Sequence, residues 1–249
     1  MPEPLLLLAV FATFLLAGFV KGVIGLGLPT VSLALLTTVT GLPAAMALLL
    51  APSLVTNVWQ ALVGGQAMAT LRRIWPFLVM ATATVWIGAL ALTRVDIAIL
   101  SGMLGLLLIA YAVINLGGIR IAVPVAHEGW VGPFIGAANG VLTGMTGSFV
   151  VPGVMFLQAI GLPRGLLVQG MGMLFSLSTL ALGLALGGSG LLSAELGWLS
   201  VAAVVPALAG MAAGQWIRDK LSEATFRRCF FLGLLAMGLY IVAGALGIA

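Results

Sequence analysis

Lys21 is the one full charge in an otherwise apolar stretch, Gly18-Phe19-Val20-Lys21-Gly22-Val23-Ile24-Gly25-Leu26-Gly27-Leu28-Pro29. An ammonium there could hold or guide an anion, because a charge acts strongly where the dielectric is low. The competing reading is an anchor that snorkels to an interface or marks a cytoplasmic turn. A second stretch of the same kind runs Asn139-Gly140-Val141-Leu142-Thr143-Gly144-Met145-Thr146-Gly147-Ser148. It offers Asn139, Thr143, Thr146 and Ser148 as neutral hydrogen-bonding groups, while Gly25 and Gly27 offer accessible backbone. Asn57, Gln60, Gln169 and Ser176 lie inside other apolar segments. Each is either a ligand contact or interhelical glue. Asn57 and Gln169 stand out, because each lies on the long helix after a glycine-rich stretch.

The chemistry these residues exclude is as informative. Asp96, Glu195, Asp219 and Glu223 all sit near segment ends. A proton relay or cation site built on buried carboxylates is therefore unsupported. The chain has one histidine, His127, and one cysteine, Cys229. No metal cluster and no intrachain disulfide can be assembled from them. The Gly-x-Gly at Gly25–Gly27 follows no strand, so it is not a dinucleotide loop. We expect no catalytic residue, no metal and no cofactor, and hence no enzyme.

The elements that position these groups follow from composition. Of 249 residues, 62% are apolar and 6% charged, where a soluble protein has roughly a quarter charged. So few charges cannot cover a soluble globule, and lipid must be the solvent for most of the surface. The expected fold class is all-α, polytopic and integral to the membrane. Six segments are long and apolar enough to span: 43–63, 74–93, 97–116, 165–186, 196–217 and 226–247. Ahead of each trio the apolar region is interrupted by the glycine-rich stretches above. These read as pairs of short helices joined by irregular backbone.

An ordered series of matches relates the halves. Gly22-Val23-Ile24 pairs with Gly140-Val141-Leu142, Pro29 with Pro152, and Gly41-Leu42-Pro43 with Gly161-Leu162-Pro163. Gly64-Gly65 pairs with Gly187-Gly188, Trp75 with Trp198, and Tyr111 with Tyr240. The expected organisation is one membrane domain with a repeat at 1–117, a linker at 118–129 and a second repeat at 130–249. In this register Asn139 stands where Lys21 does. The N-terminus lacks a basic region before its apolar run and is read as a retained helix rather than a cleaved signal.

Charge sets the expected orientation. Arg72, Arg73, Arg120, Arg164, Arg218, Lys220, Arg227 and Arg228 collect on one face, and Arg94 alone on the other. The positive-inside rule makes the first face cytoplasmic and places both termini outside. The acidic start at Glu3 agrees. Each half crosses an odd number of times, so the repeats are inverted. Paired broken segments in inverted repeats point to a binding site near mid-depth. Half-helix N-termini near Pro29 and Ser148 would favour an anion, with Ser148 as a cap.

The duplicated glycine-rich break with its proline, followed by Gly-Leu-Pro and a long helix, resembles the sulfite exporter TauE/SafE family of membrane transporters. Gly18–Pro29 carries the resemblance first and Gly136–Pro152 carries it again. The resemblance implies transport of small sulfur-containing anions, such as sulfite or sulfonates, across the bacterial inner membrane. The expected function is secondary or facilitative anion transport by alternating access, since no ATP-binding motif is present. An anion channel and a non-transporting assembly subunit remain alternatives. The expected partners are a small anionic substrate and the lipid bilayer, with a homodimer left open and no nucleic acid. The expected substrate-binding residues are Lys21, Gly25, Gly27, Asn57, Asn139, Thr143, Ser148 and Gln169.

Overall fold

The computed structural model describes residues 4–119 and 121–248, without the side chain of Asp219. The expectations resting on Glu3, Arg120 and that side chain lie outside it. The described residues are helical, with no strand. The first half gives α1 (Pro4–Ile24), α2 (Leu28–Thr40), α3 (Leu42–Leu48), α4 (Leu50–Leu62), α5 (Ala67–Ala83), α6 (Val85–Ala89) and α7 (Ile97–Leu116). The second gives α8 (Val125–Thr146), α9 (Gly153–Ala159), α10 (Arg164–Gly188), α11 (Ala194–Ala202), α12 (Val204–Ile217) and α13 (Glu223–Ala245). Among the described residues six helical segments are long and apolar enough to cross a membrane, seven if α3 and α4, bent by 45°, count as one.

The first member of each interrupted pair is the longer, with 21 residues in α1 and 22 in α8 against 13 in α2 and 7 in α9. α8 begins at Val125, inside the expected linker, behind Pro124 at its N-cap. Proline there sets a boundary because it pushes the preceding residue out of helical conformation.

The chain folds into two compact units. The first takes the chain up to Pro52, then Asp96–Gly118, and everything from Leu191. The second takes Ser53–Val95 and Ile119–Gly190. Each unit draws on both halves of the sequence.

In the first unit α1 lies parallel to α12 at backbone contact. A Cβ on Gly18 would stand 2.1 Å from the Ala207 carbonyl oxygen, and one on Gly22 2.3 Å from that of Met211. From the other side, Gly210 faces the Leu15 carbonyl and Gly214 that of Phe19. Small residues four apart allow this approach, which lipid alone would not drive. α7 and α13 cross antiparallel at Gly105 and Gly238, each of which would place a Cβ 2.8 Å from the other's carbonyl oxygen. The ring of Tyr111, buried on α7, meets Phe231 of α13 at 5.2 Å.

The second unit uses the same device. α8 runs parallel to α5 and α6, with Gly140 against the Ala81 carbonyl, Gly144 against Val85 and Gly88 against Val141. Thr84 stands where the first unit has Gly210, and its Oγ1 donates to the Ala137 carbonyl at 2.9 Å. Both long helices end on a left-handed glycine. Gly25 (φ 80°) donates to the Lys21 carbonyl and Gly147 (φ 73°) to that of Thr143, both at 2.8 Å. Caps and seams therefore align Gly18 with Gly140, Gly22 with Gly144 and Lys21 with Thr143. This is one helical turn away from the register that pairs Lys21 with Asn139. The Tyr111–Tyr240 match does not coincide with the packing either: Gly105 faces Gly238, and Tyr240 is exposed while Tyr111 is buried.

Candidate functional site

Lys21 and every neutral polar side chain named as a candidate ligand contact are buried. Asn57, Asn139 and Thr143 have no exposed surface, Gln169 has 1%, Lys21 4% and Ser148 5%. Gln60, Thr146 and Ser176 are buried as well. Lys21, Gly25 and Gly27 belong to the first unit, and Asn57, Asn139, Thr143, Ser148 and Gln169 to the second.

At the first break the chain leaves α1 through Gly25, passes Leu26 and enters α2 from Gly27 (φ 109°). Both glycines hold a left-handed backbone that a side chain would strain. Space is also tight at Gly27, where a Cβ would meet Val20 at 3.0 Å and the Phe230 ring at 3.2 Å. No side chain caps α2, and Pro29 occupies its first turn, where the missing N–H is no loss. Ser32 turns its hydroxyl back to the Leu28 carbonyl at 2.8 Å. Among the residues with described side chains, Lys21 is the only charged one in the buried interior. No carboxylate joins it in that class.

At the second break α8 supplies its own partners. Thr143 Oγ1 donates to the Ser148 carbonyl at 2.9 Å. Thr146 Oγ1 donates to the Leu142 carbonyl at 2.7 Å and accepts the Ser148 N–H at 3.3 Å. Asn139 Oδ1 accepts the Gly153 N–H at 2.9 Å. The expected cap by Ser148 is not made: Pro152 occupies the N-cap of α9, and Asn139 takes its first donor. Asn139 thus has a structural task. Its Nδ2 remains buried with no hydrogen-bond partner among the described residues.

Gln60 and Gln169 form a separate cluster in the same unit. Gln60 Nε2 donates to the Val168 carbonyl at 2.9 Å, and Gln169 Nε2 to that of Ala61 at 3.4 Å. The pair ties α4 to α10, which is the glue role. Gln169 Oε1 is buried with no hydrogen-bond partner among the described residues, as are the hydroxyls of Ser53, Ser178 and Thr179. The sequence reading passed over these last three residues. Ser53, Thr56, Asn57 and Gln60 recur at helical spacing and make a buried polar face on α4. That spacing was available in the sequence. Ser176 is satisfied within its own helix, donating to the Gly172 carbonyl at 2.7 Å.

The chemistry on offer is recognition. Buried polar atoms are normally paired, so the unpaired Asn139 amide, Gln169 oxygen and hydroxyls could each gain from a small polar ligand. No group of His, Cys, Asp and Glu among the described residues could hold a metal. Trp59 and Trp86 are exposed, as lipid contact requires, and contribute nothing to these clusters.

The model of the sulfite exporter TauE/SafE family matches residues 10–241, nearly the whole chain and both breaks. The chain belongs to that family. Neither a curated protein nor a solved structure gives a match. The membership and the spanning helices make this TauE/SafE protein a multi-pass membrane protein of a transporter family.

Proposed function

We propose that this TauE/SafE protein moves a small anion, a sulfur oxyanion or an organosulfonate, across the bacterial inner membrane by alternating access. The observation that carries the reading is Lys21, a buried lysine beside a helix break with no carboxylate among the buried residues whose side chains are described. An ammonium in such a setting suits an anion, and an unsatisfied or mismatched charge there would be expensive. The neutral groups of the second unit, above all Asn139 Nδ2 and Gln169 Oε1, suit a ligand that exchanges hydrogen bonds. The matched seams and glycine caps support an inverted duplication, and the absence of an ATP-binding motif from the sequence favours secondary or facilitated transport.

The test is flux into liposomes carrying purified protein, with sulfite, an alkyl sulfonate and a carboxylate as substrates. Lys21→Met should lower anion flux by more than the about tenfold that ~1.4 kcal/mol represents, in protein that remains monodisperse. Unchanged rate and affinity in Lys21→Met would make Lys21 a structural anchor and remove the main support for the reading. Non-saturable flux would replace the transporter with a channel.

A further inference from the structure

The first unit carries a groove of about 310 Å³ between α1, α2 and α13 that the transport reading does not use. Phe19 and Val20 of α1 form one wall, and Val31 and Leu35 of α2 another. The floor is one face of α13, from Phe226 through Cys229, Phe230 and Gly233 to Met237. Its lining is apolar. Phe226 to Met237 spans about 16 Å of helix, close to the ~15 Å that one leaflet contributes to a hydrocarbon core ~30 Å thick.

The Phe226 end of the groove is charged. Arg227 and Arg228 follow Phe226 directly, and Arg218 and Lys220 precede it in the loop from α12. All four are exposed, and they outnumber Asp219 and Glu223 in the same segment. Lys220 Nζ lies 4.2 Å over the ring of Trp216, itself exposed. A tryptophan with a lysine on its face marks the headgroup level of a bilayer. The Phe226 end of the groove therefore lies beside a basic, interfacial segment of the chain, and the groove runs from there along apolar walls.

We propose that this groove binds one acyl chain of an anionic phospholipid, with the lipid phosphate beside that basic segment. Basic residues near a membrane surface each add roughly 1 kcal/mol of attraction to acidic lipid, which separates this occupant from zwitterionic lipid. The groove's wall reaches the first break, because Val20 and Phe230 are the two side chains against Gly27. A bound lipid would brace that turn.

Native mass spectrometry of the full-length, delipidated protein tests this with dipalmitoyl phosphatidylglycerol and dipalmitoyl phosphatidylcholine as probes. Phosphatidylglycerol should bind about thirtyfold more tightly, as two net charges at roughly 1 kcal/mol each imply. Gly233→Leu should lower that binding about tenfold or more. A Cβ at Gly233 meets nothing within 4 Å, so the leucine enters the groove without disturbing the helix. Arg227→Gln should reduce the preference for phosphatidylglycerol. In the unsubstituted chain, phosphatidylglycerol should slow maleimide reaction at Cys229, which lines the groove, and phosphatidylcholine should not. Equal binding of the two lipids would overturn the proposal. So would phosphatidylglycerol binding that survives Gly233→Leu, or a Cys229 rate indifferent to lipid. The cysteine rate decides if the leucine variant does not fold.

Discussion

Asn139 accepts the backbone N–H of Gly153 at 2.9 Å, so a side chain deep in α8 closes the start of α9 across the second break. The contact is tight enough that a Cβ on Gly153 would stand 2.5 Å from Asn139 Oδ1. In Asn139→Ala the Gly153 donor stays buried without a partner, at a cost of roughly 1–3 kcal/mol. The thermal midpoint in detergent should fall accordingly. Asn139→Asp keeps an acceptor for Gly153 but places a negative charge where Nδ2 now stands. If the anion uses that amide, the aspartate variant should lose flux in liposomes beyond what its stability explains. Equal flux at equal folded protein would confine Asn139 to capping.

The glycines of the two seams give a sharper stability contrast. Gly22→Ala and Gly140→Ala each drive a methyl into a neighbouring backbone, at 2.3 Å from the Met211 oxygen and 2.4 Å from that of Ala81. The helices must move apart, and overpacking of this kind costs typically 1–3 kcal/mol. Gly187 on α10 has open space where its Cβ would be. Gly187→Ala should be neutral or stabilising, by up to about 1 kcal/mol, from helix propensity alone. Melting temperatures of the three variants, measured side by side, should separate the two seam glycines from the third. Three similar values would mean that the seams tolerate separation.

The sequence made the burial of Lys21, Asn57, Asn139 and Gln169 legible, because polar groups amid long apolar runs have nowhere else to go in lipid. It made the two breaks legible through glycine and proline density. Which positions of the two breaks are structurally equivalent was not legible, and the seams explain why. Gly18 and Gly22 face α12, and Gly136, Gly140 and Gly144 face α5 and α6. With glycines spaced four apart, a shift of one turn still lays glycine on glycine. Only the left-handed caps at Gly25 and Gly147 fix the frame. The capping of α9 was hidden for another reason: its acceptor lies fourteen residues upstream, on a different helix. Arg73 read as a plain topology charge because its partner, Glu128, lies 55 residues away.

Arg73 and Glu128 form a two-pronged pair, Nη2–Oε1 at 2.7 Å and Nε–Oε2 at 3.0 Å. The same Nη2 donates to the Ile160 carbonyl at 2.8 Å. The pair joins the starts of α5 and α8 to the end of α9. Since the Arg73 side chain is 35% exposed, solvent screens it, and a double-mutant cycle with Arg73→Gln and Glu128→Gln should return only about 0.5–1 kcal/mol. That coupling should shrink as salt is raised. Arg73→Gln should cost more than Glu128→Gln, because it also releases the Ile160 carbonyl. Equal losses would show that the carbonyl contact is unimportant.

Helix direction and charge make the orientation testable within each unit. In the first unit α1 and α12 run parallel and α13 returns antiparallel to α7, so Arg218, Lys220, Arg227 and Arg228 share one end. Asp96 and Glu195 begin α7 and α11 at the other end. In the second unit parallel α5 and α8 place Arg72 and Arg73 at the same end as Glu128. The basic ends should be cytoplasmic, since translocating arginine and lysine is disfavoured. Cys229→Ala removes the only native thiol, and single cysteines can then report sidedness to an impermeant maleimide. Arg72→Cys and Arg164→Cys should label only after cells are opened. Glu195→Cys should label in intact cells. Labelling of position 72 from outside would invert the proposed topology and place both termini in the cytoplasm.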